Sequence, residues 1–130
     1  MTVTDKIHKI LKNIDKHSNP SLLAPHKPIL LGATKGQSIE IIEEAIKAGL
    51  DYFGENRVQE AYKKWPQLKK NHPNIHLHLI GPLQTNKVKE ALTLFDVIQT
   101  VDRPKLAHAI AKELAAETRP VKFYIQVNTG

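Results

Sequence analysis

"ILLGATKG", residues 29–36, is the stretch on which the reading of the whole chain turns. Its first six residues, Ile29 to Thr34, are apolar or small, the pattern of a strand buried on both faces in a parallel sheet flanked by helices. Such a strand has no structural reason to end on a cation, yet the next residue is Lys35. If side chains alternate, Ile29, Leu31, Ala33 and Lys35 point the same way, and in a closed barrel that direction carries the ammonium toward the mouth above a packed interior. Desolvation there would favour the free amine, a nucleophile able to form a Schiff base with a carbonyl compound. The plainer alternative is a solvated lysine in the loop after a strand, and the pattern alone leaves both open.

Outward from this strand the chain alternates. On the N-terminal side, Val3, Ile7, Ile10, Leu11 and Ile14 recur at helical spacing and predict an amphipathic helix over 3–16, after which "HSNPSLLAPHKP", residues 17–28, breaks the pattern. On the C-terminal side, Ser38 suits the N-cap of a helix whose Ile39, Ile42, Ala45 and Ile46 share a face, and Gly49 suits its stop. "LDYFG" (50–54) reads as a short strand and "NRVQEAYKKW" (56–65) as a helix that Pro66 ends or kinks. There follow "NIHLHLIG" (74–81) as a strand, "QTNKVKEALTLF" (84–95) as a short helix and "DVIQTV" (96–101) as a strand. "DRPKLAHAIAKELAAE" (102–117) reads as a helix capped by Asp102 with Pro104 in its first turn, and "VKFYIQVN" (121–128) as a last strand.

About five strands alternating with helices favour a parallel sheet with right-handed crossovers, either doubly wound or closed as a barrel. In both architectures the chemistry gathers where strands end and helices begin. Lys35 falls there, and so do "GEN" at 54–56, "GPLQTNK" at 81–87, "TVD" at 100–102 and "NTG" at 128–130. The polar residues therefore collect on one rim.

Composition narrows the function classes. With 130 residues, 41% of them hydrophobic and 25% charged, the chain has the length and composition for one modest core, and a single domain is the default. No apolar run approaches a membrane span and none resembles a signal peptide, so a soluble, cytoplasmic protein is expected, with no membrane partner. The absence of cysteine excludes disulfides and thiol chemistry. A net charge of +6 invites a nucleic-acid reading. The lysines are spread, however, and the densest group, Lys63, Lys64, Lys69 and Lys70, reads as the solvated face of one helix, so no nucleic-acid partner is expected. His76 and His78 share a strand face but have no third ligand at useful spacing, so no metal site is assigned, and His78 reads as a pocket-lining or satisfied core histidine. "GPLQTNK" lacks the second glycine of a phosphate-binding P-loop, which argues against an ATP site.

The segments "LLGATKG", "FGENRVQE", "HLIGPLQTNK", "VIQTVD" and "IQVNTG" resemble, in order and spacing, the signature segments of the pyridoxal phosphate homeostasis protein family, also called proline synthetase co-transcribed proteins. The resemblance runs from about residue 5 to the end of the chain. It implies a TIM (β/α)8-type barrel similar to the N-terminal domain of alanine racemase, with pyridoxal 5'-phosphate as small-molecule partner held on the lysine that ends the first strand, here Lys35. It further implies that Asn56 lies near the cofactor ring, with Gly54 and Glu55 shaping the same loop. His78, Gly81, Gln84 and Asn86 fall on the third strand and its loop, at the rim of the pocket. Gly81 as a turn residue, Asn86 as a helix cap and Gln84 as a loop hydrogen-bonder are equally good structural readings. The cofactor-binding residues expected are Lys35, Asn56 and His78.

Family members complete eight strands, and this chain carries about five, so the expectation is a single incomplete barrel domain over 1–130, with a helix at 3–16 and strand–helix units from 29 onward. Barrels of this kind hold phosphate with loops after the seventh and eighth strands, so cofactor affinity is expected to be weak. The first and fifth strands would be open edges, which favours association with another chain. The function implied is a non-catalytic carrier in vitamin B6 homeostasis. A racemase-like enzyme and an inactive fragment that needs a partner chain are the alternatives.

Overall fold

The computed structural model describes residues 1–18, 28–117 and 119–130, and most of the break at 17–28 therefore lies outside the described residues. The elements run α1 (Val3–His17), β1 (Leu31–Ala33), α2 (Ile39–Lys47), β2 (Tyr52–Glu55), α3 (Val58–Asn71), β3 (His76–Leu79), a 3-10 turn (Thr85–Lys87), α4 (Val88–Leu94), β4 (Val97–Val101), α5 (Pro104–Leu114) and β5 (Lys122–Ile125). All five strands are parallel and lie in the order β1-β2-β3-β4-β5. A sheet whose neighbours follow chain order, joined by right-handed crossovers, puts its helices on one face, whereas a doubly wound sheet reverses order at a switch point. The fold is therefore a run of consecutive units of a (β/α)8-type barrel, with β1 and β5 as the outer strands among the described residues.

Strand alternation divides the sheet into two faces. Phe53, Leu77, Leu79 and Ile98 point to the helix layer and are fully buried, against Trp65 and Leu68 of α3, Leu92 of α4 and Leu106 of α5. Burying each of these side chains contributes roughly 1.5–3 kcal/mol relative to exposure. Phe53 and Trp65 meet with ring centroids 5.2 Å apart. On the opposite, barrel-interior face stand Leu31, Tyr52, His76, His78, Val97, Gln99 and Tyr124, which border an open cavity of about 590 Å³.

The helix ends follow local chemistry. Thr2 and Asp5 form a reciprocal capping box at α1, each side chain accepting the other's backbone N–H at 3.0 Å. Ser38 Oγ accepts from Ile41 N–H at 3.3 Å, as expected of the α2 cap, and Gly49 ends that helix at φ +102°, a conformation that favours glycine. Three expectations need correction. Pro66 does not end the helix at 65, because α3 continues to Asn71 with Trp65 and Leu68 buried on either side of it, while Pro66 itself faces solvent. The lost backbone bond costs about 3 kcal/mol, less than the two buried side chains contribute together. Asp102 does not cap α5, where Arg103 occupies the cap position without a side-chain bond, and the Asp102 carboxylate instead pairs with Arg103 at 2.7 Å. The four α3 lysines are not one solvated face, since Lys63 and Lys70 are exposed but Lys64 is buried and Lys69 partly so.

Lys69 closes the N-terminal end of the sheet. Its ammonium donates to both Asp96 oxygens at 3.0 Å and to the Leu94 carbonyl at 2.7 Å, while Asp96 also accepts from Leu77 N–H at 2.8 Å and pairs with Arg119. Burial pulls the Lys69 pKa below its ordinary value, opposed by Asp96. This carboxylate thereby joins α3, the start of β3, the start of β4 and the approach to β5.

Candidate functional site

The C-terminal ends of β1, β2 and β3 build the site. Thr34 N–H donates to the Gly54 carbonyl at 3.0 Å, continuing the β1–β2 ladder by one residue, and the chain then turns through Lys35 and Gly36, the latter at φ +70°. Lys35 is exposed at this turn. It borders a cavity of about 530 Å³ together with Asn56, Arg57, Val58, Gln84 and Lys87. That size lies within the usual range for small-molecule sites. Among the described residues the lining carries three cations, Lys35, Arg57 and Lys87, and no carboxylate, so its charge suits an anionic ligand.

Beneath the turn lies a buried polar network. Glu55, at the end of β2, is fully buried, and its Oε2 accepts from Thr34 Oγ1 and from the Lys64 ammonium at 3.0 Å. Lys64 also donates to the Thr34 carbonyl at 2.9 Å and the Gln37 carbonyl at 3.4 Å. One turn earlier on α3, Glu60 accepts from Gly36 N–H at 2.7 Å and lies 3.6 Å from Lys64. That backbone hydrogen bond holds the Glu60 carboxyl below the usual carboxylate range, and Lys64 and Lys35 act in the same direction.

Gly81 explains how Asn56 is placed. A Cβ at residue 81 would overlap the Asn56 carbonyl and Cα, so the loops after β2 and β3 touch backbone to backbone only because residue 81 is glycine. Gly81 is therefore required for close approach and does not adopt a positive φ. Asn86 is not a helix cap: it lies within the 3-10 turn, and α4 begins after Lys87. Gln84 lines the Lys35 cavity. From the other side of the rim, Arg103 donates to the Leu83 carbonyl at 2.9 Å and ties the β4 loop to the β3 loop.

The structure brings Lys35 and Asn56 to one cavity and places His78 in another. His78 lines the interior-face cavity with Tyr52 and His76. Tyr52 stacks on His76 at 4.6 Å and meets His78 edge-on at 6.0 Å. The Gln99 amide nitrogen lies 2.7 Å from His78 Nδ1, and burial, with His76 adding to it, lowers the His78 pKa. The burial invoked for Lys35 in the sequence is not found: the described residues leave its side chain exposed. The sequence assigned no individual site role to Arg57, Glu60 or Lys87, and Lys64 read as part of a solvated face. For Lys64 a signal existed, since it stands three residues from Ala61 and four from Leu68, both on the buried face of α3.

The comparisons with known proteins agree with this fold. The family model for the alanine racemase N-terminal domain matches residues 5–130. A pyridoxal phosphate homeostasis protein of Vibrio cholerae is 41% identical over 103 residues, 78% of this chain and 44% of that protein. One of Aquifex aeolicus is 35% identical over 130 residues, covering all of this chain and 56% of its own length. The chain thus spans about half the length of the curated relatives it matches. Among solved structures, PipY of Synechococcus elongatus with PLP bound superposes with a TM-score of 0.82 at 30% identity, over 99% of this chain and 56% of PipY. With its five consecutive parallel βα units and a family match over nearly its whole length, the chain belongs to the alanine racemase N-terminal domain family.

Proposed function

We propose that this chain binds pyridoxal 5'-phosphate through Lys35 and acts in the cytoplasm as a non-catalytic holder of the cofactor in vitamin B6 homeostasis. One observation carries the reading: a lysine at the end of the first strand opens onto a cavity that it shares with Asn56 and two further cations. The names of the relatives and the PLP-bound PipY structure support the same cofactor.

An amine, a cavity of about 530 Å³ and a cationic lining without carboxylates fit an anionic aldehyde. The Lys35 amine would hold the aldehyde carbon as a Schiff base, with loss of one water, and Arg57 and Lys87 would attract the phosphate-bearing ligand into the cavity. Asn56, held by Gly81, would border the ring. His78 faces the other cavity, so its role would be to shape the interior face beneath the site. When bound, the cofactor supplies an electron sink, but racemisation also needs an acid and a base on opposite faces of the substrate, and the described lining residues hold no histidine, tyrosine or carboxylate for that work.

The test is to mix the chain with pyridoxal phosphate, reduce with borohydride and map adducts by peptide mass spectrometry. One dominant adduct on Lys35, absent in Lys35→Ala, is expected, with no racemisation of alanine in parallel assays. Scattered labelling, or turnover of an amino acid, would overturn the reading.

A further inference from the structure

Lys35 lies in a turn closed by its own backbone bond, Gln37 N–H to the Thr34 carbonyl at 3.0 Å, and α3 adds side-chain bonds to the backbone on both sides of it. The residue before it, Thr34, gives its carbonyl to Lys64 at 2.9 Å, and the residue after it, Gly36, gives its N–H to Glu60 at 2.7 Å. Lys64 reaches one residue further, to the Gln37 carbonyl at 3.4 Å. Glu60 and Lys64 stand one helical turn apart and 3.6 Å from each other, so a single helix face grips both ends of the turn. The grip adds to the turn's own backbone bond, since Gly36 at φ +70° brings no side chain to the turn.

The network is poorly explained as a source of stability. Glu55 is fully buried, yet only one of its carboxylate oxygens has partners, and Oε1 has none among the described residues. A buried ion pair with unsatisfied acceptor capacity recovers its desolvation cost badly, and an apolar pair of similar volume is often more stable. What the charged version provides here is direction: an ammonium that aims at two backbone carbonyls and a carboxylate that aims at one N–H.

We propose that Glu60 and Lys64 are positioning residues for Lys35, acting through the backbone on either side of it to hold its amine at the mouth of the cavity. This inference rests on the reading of Lys35 as the cofactor lysine. Lys64 sets the strand side of the turn and is anchored by Glu55, while Glu60 sets the helix side. Neither side chain is among the described residues that line the cavity. Because Gly36 keeps the Glu60 carboxyl ionised below the usual carboxylate range, the grip persists through mildly acidic conditions.

The test compares Glu60→Ala and Glu60→Gln with the parent chain and with Glu113→Ala, a change on α5 remote from the turn. Two probes are used: pyridoxal phosphate trapped by borohydride, and trace acetylation by acetic anhydride, scored as Lys35 relative to the exposed Lys9. In Glu60→Ala the adduct on Lys35 is expected to fall about tenfold, the scale on which small misplacements of a reacting group act. The relative acetylation of Lys35 is expected to change as well, with the thermal melt close to that of Glu113→Ala. Glu60→Gln should restore most of the adduct, since its amide oxygen still accepts from Gly36. Unchanged acetylation in Glu60→Ala would overturn the proposal, as would an unchanged adduct or an equal loss in both variants that tracks a lowered melt. If the parent chain gives no adduct while acetylation responds as expected, the cofactor reading fails and the positioning of Lys35 stands.

Discussion

Helix α3 sends two lysines to two carboxylates at opposite ends of the sheet, and the two networks differ in what they hold. At the N-terminal end, Lys69 meets Asp96, whose two oxygens are filled by Lys69, Arg119 and Leu77 N–H. Every partner there belongs to an element that starts or supports a strand. At the C-terminal end, Lys64 meets Glu55, which leaves one oxygen without a partner among the described residues, and spends its other hydrogen bonds on the turn that carries Lys35. The same residue type, five positions apart on one helix, thus secures the framework at one end and the turn that carries Lys35 at the other. That division matches the general logic of (β/α) barrels, in which the N-terminal face serves stability and the C-terminal face serves chemistry.

The comparison breaks most sharply at Lys64. Lys64→Met leaves the fully buried Glu55 without its countercharge and should cost about 3 kcal/mol in denaturant unfolding, as when one partner of a buried pair is removed. Adding Glu55→Gln should recover part of that loss without restoring Lys35 labelling, which separates charge burial from placement of the turn. If Lys64→Met is as stable as the parent, the two networks are not different in kind.

Gly81→Ala should come next, at about 2 kcal/mol, because the new methyl overlaps backbone and not a flexible side chain. It touches neither lysine network, yet it should shift Asn56, read as an altered chemical shift or exchange rate at residues 54–57. A smaller loss is expected for Lys69→Met, about 1 kcal/mol, since the pair is partly exposed and Asp96 keeps Arg119 and Leu77 N–H. Lys35 labelling per folded molecule should be unchanged in that variant. A drop in labelling there would mean that the N-terminal network also governs the site.

The smallest effect concerns the interior face. The His78 pKa is lowered by burial, so the folded state prefers the neutral ring, and stability from this group is present in full above about pH 6.5. It is lost as the pH falls through the lowered pKa of the folded state, where only the unfolded chain takes up the proton readily. His78→Gln should flatten the slope of unfolding free energy below about pH 6.5, the ordinary histidine value at which the unfolded chain begins to take up the proton. A slope that survives the substitution would assign it to another group.

Much of this molecule could be read from local pattern. The cap at Ser38, the stop at Gly49 and the alternation of period-two and helical segments depend on residues near one another in the chain and are present, whereas the apolar run before Lys35 gives a strand of Leu31–Ala33 only, with Ile29 and Ala33 exposed and not buried on both faces. The clustering of strand ends, and so the neighbourhood of Lys35 and Asn56, followed from the alternation alone. What local pattern could not supply was the set of partners. Lys64 and Lys69 look like solvated helix residues until β2 brings Glu55, and the turn before β4 brings Asp96, against the face of α3. Pro66 looks like a stop until Trp65 and Leu68 are buried around it, and Gly81 looks like a turn residue until the Asn56 backbone arrives beside it. Amino-acid order determined which segments become strands and helices and that a lysine stands at the end of the first strand, because those choices rest on spacing and capping within a few residues. Tertiary structure alone decided which charges are buried and what they hold, because desolvation and pairing depend on groups that meet only after the sheet has formed.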